Sequence, residues 1–213
     1  QLKKKLNMKG PFYVVNEGEK LTDYIESGFP RPYNRFIYLN KYEPIRHQDI
    51  PSGSVDLVAM YIGLHHVPEH KLESFIQSLH RILSPGGSFI LMDHDATSSE
   101  HQAMLSVIHS IFNVGTGEPL EEELREFRNF QSLAYWESLL EKNGFIRDPH
   151  PPLIRPGDAT LNSLVRFTKK ALTEEEFCAQ AHAVPEYVRD QIRTYLTAPE
   201  WHNVRITQGY CKF

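Results

Sequence analysis

Five side chains capable of acid–base chemistry fall in two tight groups, His65-His66 and Asp93-His94-Asp95. Each group follows a short apolar run, Val55–Ala59 in one case and Phe89–Met92 in the other. An imidazole beside a carboxylate can take a proton from a reacting atom, because the carboxylate orients the ring and stabilises its charged form. The same residue types could hold a divalent metal: hard ions accept carboxylates, and zinc accepts His and Asp. No HExxH-type ligand spacing is present, so metal binding is the least favoured reading and no residue is assigned to a metal.

The elements that must position these groups are legible around them. Val55–Ala59, ended by Met60-Tyr61, has the length of a fully buried strand. Pro68 and Glu69 suit the first turn of a helix. Leu72, Phe75, Ile76, Leu79, Ile82 and Leu83 then recur at three- and four-residue spacing, one apolar face. Ser84-Pro85-Gly86-Gly87 stops that helix, and Phe89–Met92 is a second buried strand tipped by Asp93-His94-Asp95. Two apolar strands joined by a crossover helix make a right-handed βαβ unit of a parallel sheet. Ligands of such sheets sit outside the carboxyl ends of the strands, which here carry Met60–His66 and Asp93–Asp95.

Three segments in this order and spacing, Ser54-Val55-Asp56-Leu57-Val58, Leu64-His65-His66-Val67-Pro68 and Arg81-Ile82-Leu83-Ser84-Pro85-Gly86-Gly87, resemble the second half of class I S-adenosylmethionine-dependent methyltransferases. The small-molecule, quinone-biosynthesis-like type is the most similar. The resemblance implies an α/β fold with a Rossmann-like, mostly parallel sheet whose last strand is antiparallel. It implies S-adenosyl-L-methionine as cofactor and methyl transfer to a small-molecule or other nucleophilic acceptor. On this register Asn16 or Glu17 falls at the position that binds the ribose hydroxyls, and Asn40 at the adenine position. Met60 and Tyr61 should flank the cofactor, with His65 beside it. Asp93 or His94 should lie nearest the acceptor, with His66 as a further catalytic candidate. His80, His101 and His109 are expected to be surface or satisfied core residues of helices.

Two departures from the family pattern stand out. The glycine-rich loop after the first strand is not in this sequence, and on this register it would lie upstream of Gln1, together with that strand. The first strand is central in the sheet, so its removal would leave two unpaired edges; a chain that begins late is the expectation. A rival register makes Phe12–Val15 the first strand and Asn16–Lys20 a decayed glycine loop. The second departure is amide chemistry: Asn at the adenine position, and Asn at the ribose position unless Glu17 serves. Asn both donates and accepts hydrogen bonds, but a carboxylate holds a diol more strongly. These departures motivate an alternative, a catalytically inactive methyltransferase-like scaffold or binding domain.

In chain order, Gln1–Lys9 reads as a helix end and Glu19–Ser27 as a short helix. Phe12–Val15 and Arg35–Leu39 read as strands, and Asp49 as a turn or capping residue. Ser98–Asn113 is a helix with a broad apolar face, Leu120–Phe130 a charged helix or turn, and Leu133–Asn143 a helix N-capped by Ser132 and closed by Gly144. Phe145-Ile146 begins a strand, and Leu161–Thr168 is the closing one. Residues 1–170 are therefore expected to form the α/β domain, with a helical cap at 98–130, and 171–213 a helical C-terminal extension that opens on a capping box at Thr173–Glu176.

The chain has 213 residues, 40% hydrophobic and 23% charged, enough for one well-packed domain with an appendage. A net charge of −4 argues against an obligate nucleic-acid binder, although nucleic-acid or protein acceptors stay open alongside a small molecule. Two cysteines, Cys178 and Cys211, are too few for a disulfide framework and suit a reducing, cytoplasmic setting. No apolar run approaches the roughly 20 residues of a membrane span. Further domains beyond either terminus fit the late start.

Overall fold

The structure is a computed structural model and describes residue 7, residues 9–16 and residues 35–170. The expected helices at Gln1–Lys9 and Glu19–Ser27 fall almost wholly outside these residues, as do Glu17 and the C-terminal extension. The chain divides into two compact units, Gln1–Lys170 and Ala171–Phe213.

Strands β1 (Tyr13–Asn16) and β2 (Arg35–Tyr38) pair in parallel, Tyr13 opposite Arg35 and Asn16 opposite Tyr38. A second, five-stranded sheet follows, in which β3 (Val55–Tyr61) pairs in parallel with β4 (Leu83–His94). Between them lie a 3-10 turn, Leu64–His66, and helix α1, Glu69–Ile82, the expected crossover. Among the described residues β1 and β2 do not pair with β3, and no described strand fills the central place between them.

Helix α1 forms for readable reasons. Pro68, extended at φ −57° and ψ 138°, starts it, Glu69 lies at its positive end, and His80 and Arg81 lie at its negative end. Leu72, Phe75, Ile76, Leu79 and Ile82 are buried on one face. Pro85 biases Ser84 away from helical geometry, and the chain is already extended at Leu83. The Ser84–Gly87 break was expected to precede the strand. Instead β4 begins at Leu83 and carries these residues as a register irregularity between Val55↔Leu83 and Leu57↔Ser88. Gly87 is required there, because a Cβ would stand 2.9 Å from the Ser84 carbonyl oxygen.

The expectation of a fully buried first strand of this unit is corrected. No residue of β3 is fully buried, since β3 is the outer strand of the five-stranded sheet among the described residues. In β4, by contrast, Phe89, Leu91 and Asp93 alternate inward. Helix α2 (Ser99–Gly115) and the single turn α3 (Leu120–Glu123) follow. Leu120–Phe130 is thus mostly irregular rather than helical. Helix α4 (Leu133–Lys142) is N-capped by Ser132, whose Oγ accepts the Tyr135 N–H at 3.2 Å. Strands β5 (Phe145–Arg147), β6 (Leu153–Ile154) and β7 (Asn162–Lys169) complete the sheet, β7 running antiparallel between β4 and β5 as expected.

A single core joins the two sheets through Ile37 of β2, Ile45, Ile50, the apolar face of α1, Phe89, Trp136 and Phe167. Arg81 fixes the link into β3: its guanidinium donates to the carbonyls of Ile45 at 2.7 Å and Ile50 at 3.1 Å. Asp49 accepts from Arg46 at 2.6 Å and from Arg35 at 3.2 Å, so its carboxylate closes a turn against two arginines.

Candidate active site

Because β3 and β4 are parallel, with Tyr61 opposite Met92, their carboxyl ends lie at the same end of the sheet. Tyr61 is half-exposed at that end. Ile62 then turns the chain at φ +51°, a left-handed conformation that a β-branched side chain disfavours. Its N–H still donates to the Met92 carbonyl at 2.6 Å, and this bond holds the turn. The chain drops from there into Leu64–His66, directly over the tip of β4.

Asp93 organises this corner. It is 2% exposed and accepts four hydrogen bonds: Leu64 N–H at 2.9 Å, His65 N–H at 3.3 Å, His65 Nδ1 at 2.6 Å and its neighbour His94 N–H at 2.8 Å. Burial alone would push its pKa up. The His65 imidazole and the His94 N–H outweigh burial and hold the carboxyl below the usual range. Burial in turn pushes His65 down, with Asp93 opposing, so a neutral ring donates Nδ1–H to a charged carboxylate. Asp93, expected nearest the acceptor, has its lone pairs committed to holding the His65 turn.

His94 is also buried. Its Nδ1 stands 3.1 Å from the Thr160 carbonyl oxygen and its Nε2 stands 2.9 Å from Nε2 of His109 on α2. His109 was expected at the surface or as a satisfied core residue of its helix. It enters the cluster because α2 runs over the strand tips, with Leu105 buried one turn earlier. Burial, then the neighbouring imidazoles, push the His109 pKa down to about 3. The signal for it in sequence is the four-residue spacing of His101, Leu105 and His109, one helix face. Phe130 stacks on His65 at 4.7 Å and lies 5.5 Å from the His94 ring and 5.1 Å from the His109 ring, walling the cluster from water.

His66 is the outward member of the pair. Its Nδ1 stands 3.1 Å from Glu126, which also pairs with Arg128 at 2.6 Å. Arg128 reaches Glu123, and Glu123 accepts from Ser110 and from Asn113 at 2.8 Å. This ionic network ties the irregular 124–131 segment to α2. Asp95 Oδ1 accepts the Leu133 N–H at 2.8 Å and so anchors the start of α4. An open polar cleft of about 350 Å³ runs between α2 and this segment, lined by Gln102, Ser106, Arg128 and Asn129 among others.

The remaining expected cofactor residues are spread along the strand ends. Asn16 ends β1 and is half-buried, Asn40 is exposed just after β2, and Met60 and Tyr61 end β3. His65, expected beside the cofactor, is fully buried beneath Phe130 and His66.

Several known proteins are similar to this chain in fold or in sequence. A protein of Listeria monocytogenes, assigned as a candidate S-adenosylmethionine-dependent methyltransferase, superposes with a TM-score of 0.50 at 11% identity, over 75% of this chain and 80% of that one. An S-adenosylmethionine-dependent methyltransferase of Methanosarcina mazei gives 0.48 at 15% identity, over 76% and 82%. The S-adenosylmethionine-dependent methyltransferase SibL gives 0.49 at 16%, over 75% of this chain and 43% of its own length. In sequence, an uncharacterized methyltransferase of Synechocystis is 42% identical over 48 residues, 22% of this chain and 23% of that relative's length. The methyltransferase domain family matches residues 13–146, from the first residue of β1 to within β5. That span holds both strand tips and the turn between them, and the chain belongs to the methyltransferase domain family.

Proposed function

We propose that the protein is a methyltransferase that uses S-adenosyl-L-methionine and acts on a small-molecule acceptor. The observation that carries this reading is the parallel pairing of β3 with β4, which brings Met60-Tyr61 and the His66 turn to one end of the sheet. Asn16, Asn40, Met60 and Tyr61 are the residues that would hold the cofactor: two amides able to donate and accept at the ends of β1 and β2, and a half-exposed aromatic ring at the end of β3. Glu17 is a further ribose candidate. S-adenosylmethionine, when bound, supplies a methyl group on a good sulfonium leaving group.

The chain's own contribution is placement and proton handling. His66 takes the proton of an acceptor that must lose one, and the Glu126 carboxylate, 3.1 Å from its Nδ1, favours the charged ring that results. Asp93 acts one layer further in, holding the Leu64–His66 turn, and His94 stands beside it against Thr160 and His109. The Ser98–Phe130 segment serves as the cap over the acceptor, and the open polar cleft beside α2 favours a small molecule. The two cysteines suit a cytoplasmic setting. Among the described residues no helix is long and apolar enough to cross a membrane.

The amides at 16 and 40 favour one competing reading, a methyltransferase-like binding domain without catalysis. Calorimetry of the full-length protein with S-adenosylhomocysteine separates the two. Saturable heat that Tyr61→Ala weakens supports the enzyme; no heat at millimolar ligand, with folding confirmed by circular dichroism, supports the binding domain.

A further inference from the structure

The three imidazoles behind His66, two buried and one half-buried, have an arrangement that acid–base catalysis does not require. One ring nitrogen from each of His65, His94 and His109 lies within 4.8 Å of the other two. His65 Nε2 is fully buried and has no hydrogen-bond partner. An orphaned buried polar nitrogen is costly, and a ligand that takes its lone pair removes that cost. Here it belongs to a ring whose other nitrogen is bonded to Asp93 at 2.6 Å.

The outer bonds settle which lone pairs are free. A carbonyl oxygen only accepts, so His94 Nδ1 donates to Thr160, and a neutral His94 presents an Nε2 lone pair. His65 donates Nδ1–H to Asp93 and likewise presents Nε2. A carboxylate and a backbone carbonyl holding the far nitrogens of two histidines are the partners that fix imidazoles as metal ligands. Zinc bound to imidazole at about 2.0–2.1 Å in a tetrahedron sets its ligand nitrogens about 3.3 Å apart. The observed 2.9 Å between His94 and His109, within a group no wider than 4.8 Å, brackets that value.

We infer that His65, His94 and His109 form a binding site for a divalent transition metal, zinc in particular. Three nitrogen donors of borderline softness select zinc and its first-row neighbours over magnesium or calcium, which require oxygen. Asp93 and the Thr160 carbonyl hold the first two rings in place. Binding breaks the His94–His109 hydrogen bond and moves the His109 proton from Nε2 to Nδ1; no redox change is involved. Among the described residues no fourth protein donor joins the group, so an enclosed water would complete the tetrahedron. This donor set differs from the five residues grouped from the sequence: Asp93 moves behind His65, Asp95 serves α4, and His109 enters. The inference stands independently of methyl transfer, since it concerns metal occupancy alone.

The test uses the full-length protein, stripped with chelator and equilibrated with zinc, then assayed by plasma mass spectrometry and calorimetry. Cobalt replaces zinc as the spectroscopic probe. The expected result is a single ion per chain, visible bands of four-coordinate cobalt, and affinity lowered about a hundredfold or more in His94→Gln and His109→Gln, at least the loss that removing an outer-shell partner causes. His150→Ala, at an exposed site, leaves the affinity unchanged. His109 is only half-buried, so His109→Gln carries the comparison if the His94 variant does not fold. A folded wild-type chain that retains no zinc, or a His109→Gln variant that binds as tightly as wild type, overturns the site.

Discussion

His94 and His109, fifteen residues apart in sequence, face each other through their Nε2 atoms at 2.9 Å in a pocket closed by Phe130. Burial holds both pKa values below the ordinary imidazole range. At neutral pH the contact is therefore a hydrogen bond between two neutral rings, and one must donate. Because His94 Nδ1 gives its proton to Thr160, His109 is the donor. Nitrogen-15 correlation spectra of the chelator-treated protein at pH 7 are expected to show Nδ1–H tautomers for His65 and His94, and the Nε2–H tautomer for His109. An Nε2–H signal assigned to His94 would contradict this geometry.

Asp93 is the fold's polar keystone at the strand tips. Asn at this position keeps one acceptor oxygen but turns an N–H₂ toward backbone donors that need an acceptor. A buried charged acceptor with four donors is lost, and breaking such a group costs several kcal/mol. Asp93→Asn should lower unfolding free energy by roughly 3 kcal/mol, read from urea titration with an unchanged slope. A loss under 1 kcal/mol would mean that the Leu64–His66 turn is held by packing alone.

Acid should loosen the segment that carries Glu123 and Glu126 before it unfolds the sheet. A hydrogen bond from Arg128 leads in holding Glu123 at about 2, and Ser110 and Asn113 assist. Glu126 also sits at about 2: burial opposes its charge, and His66 with Arg128 outweighs burial. Both folded pKa values lie below the ordinary glutamate value of 4.5, so the stabilisation is complete above that pH and is lost as pH falls toward 2. Hydrogen-exchange protection of residues 120–131 should fall across pH 4.5 to 2, and Glu123→Gln should flatten that fall. Protection that stays level down to pH 2 would remove the ionic network from the account of this segment.

How much of this was legible in the sequence follows from which interactions are local. The βαβ unit was readable because the apolar spacing of Leu72 to Ile82 and the helix-stopping Ser84-Pro85 act within a few residues. The antiparallel β7 came from the family pattern. The exposure of β3 was not readable, since burial of an apolar run depends on its neighbours in the sheet. His109 and Glu126 were missed for a related reason. The spacing of His101, Leu105 and His109 marks one face of α2, but not that this face and the 124–131 segment return over the tip of β4, where they meet His94 and His66. The burial of Asp93 and His65 was unreadable on the same ground, since Phe130 and the 3-10 turn that cover them come from elsewhere in the chain.

Gly144 offers a separable test of close packing between α4 and α1. It closes α4 at φ +86°, and a Cβ there would stand 2.9 Å from His80 Nε2. The His80 ring cannot swing freely, because it packs edge-on against Phe145 at 5.2 Å. Gly144→Ala thus meets two penalties: about 1–2 kcal/mol for a left-handed residue bearing a Cβ, and a steric one. Gly86, at φ +73° with nothing near its virtual Cβ, carries the first penalty alone. Gly144→Ala should cost more than Gly86→Ala by about 1 kcal/mol or more, within the usual range for overpacking. In the Gly144→Ala/His80→Ala double variant the excess should vanish, giving a coupling energy of that size. Equal costs for the two glycine variants, with no coupling to His80, would show that α1 and α4 yield at this contact.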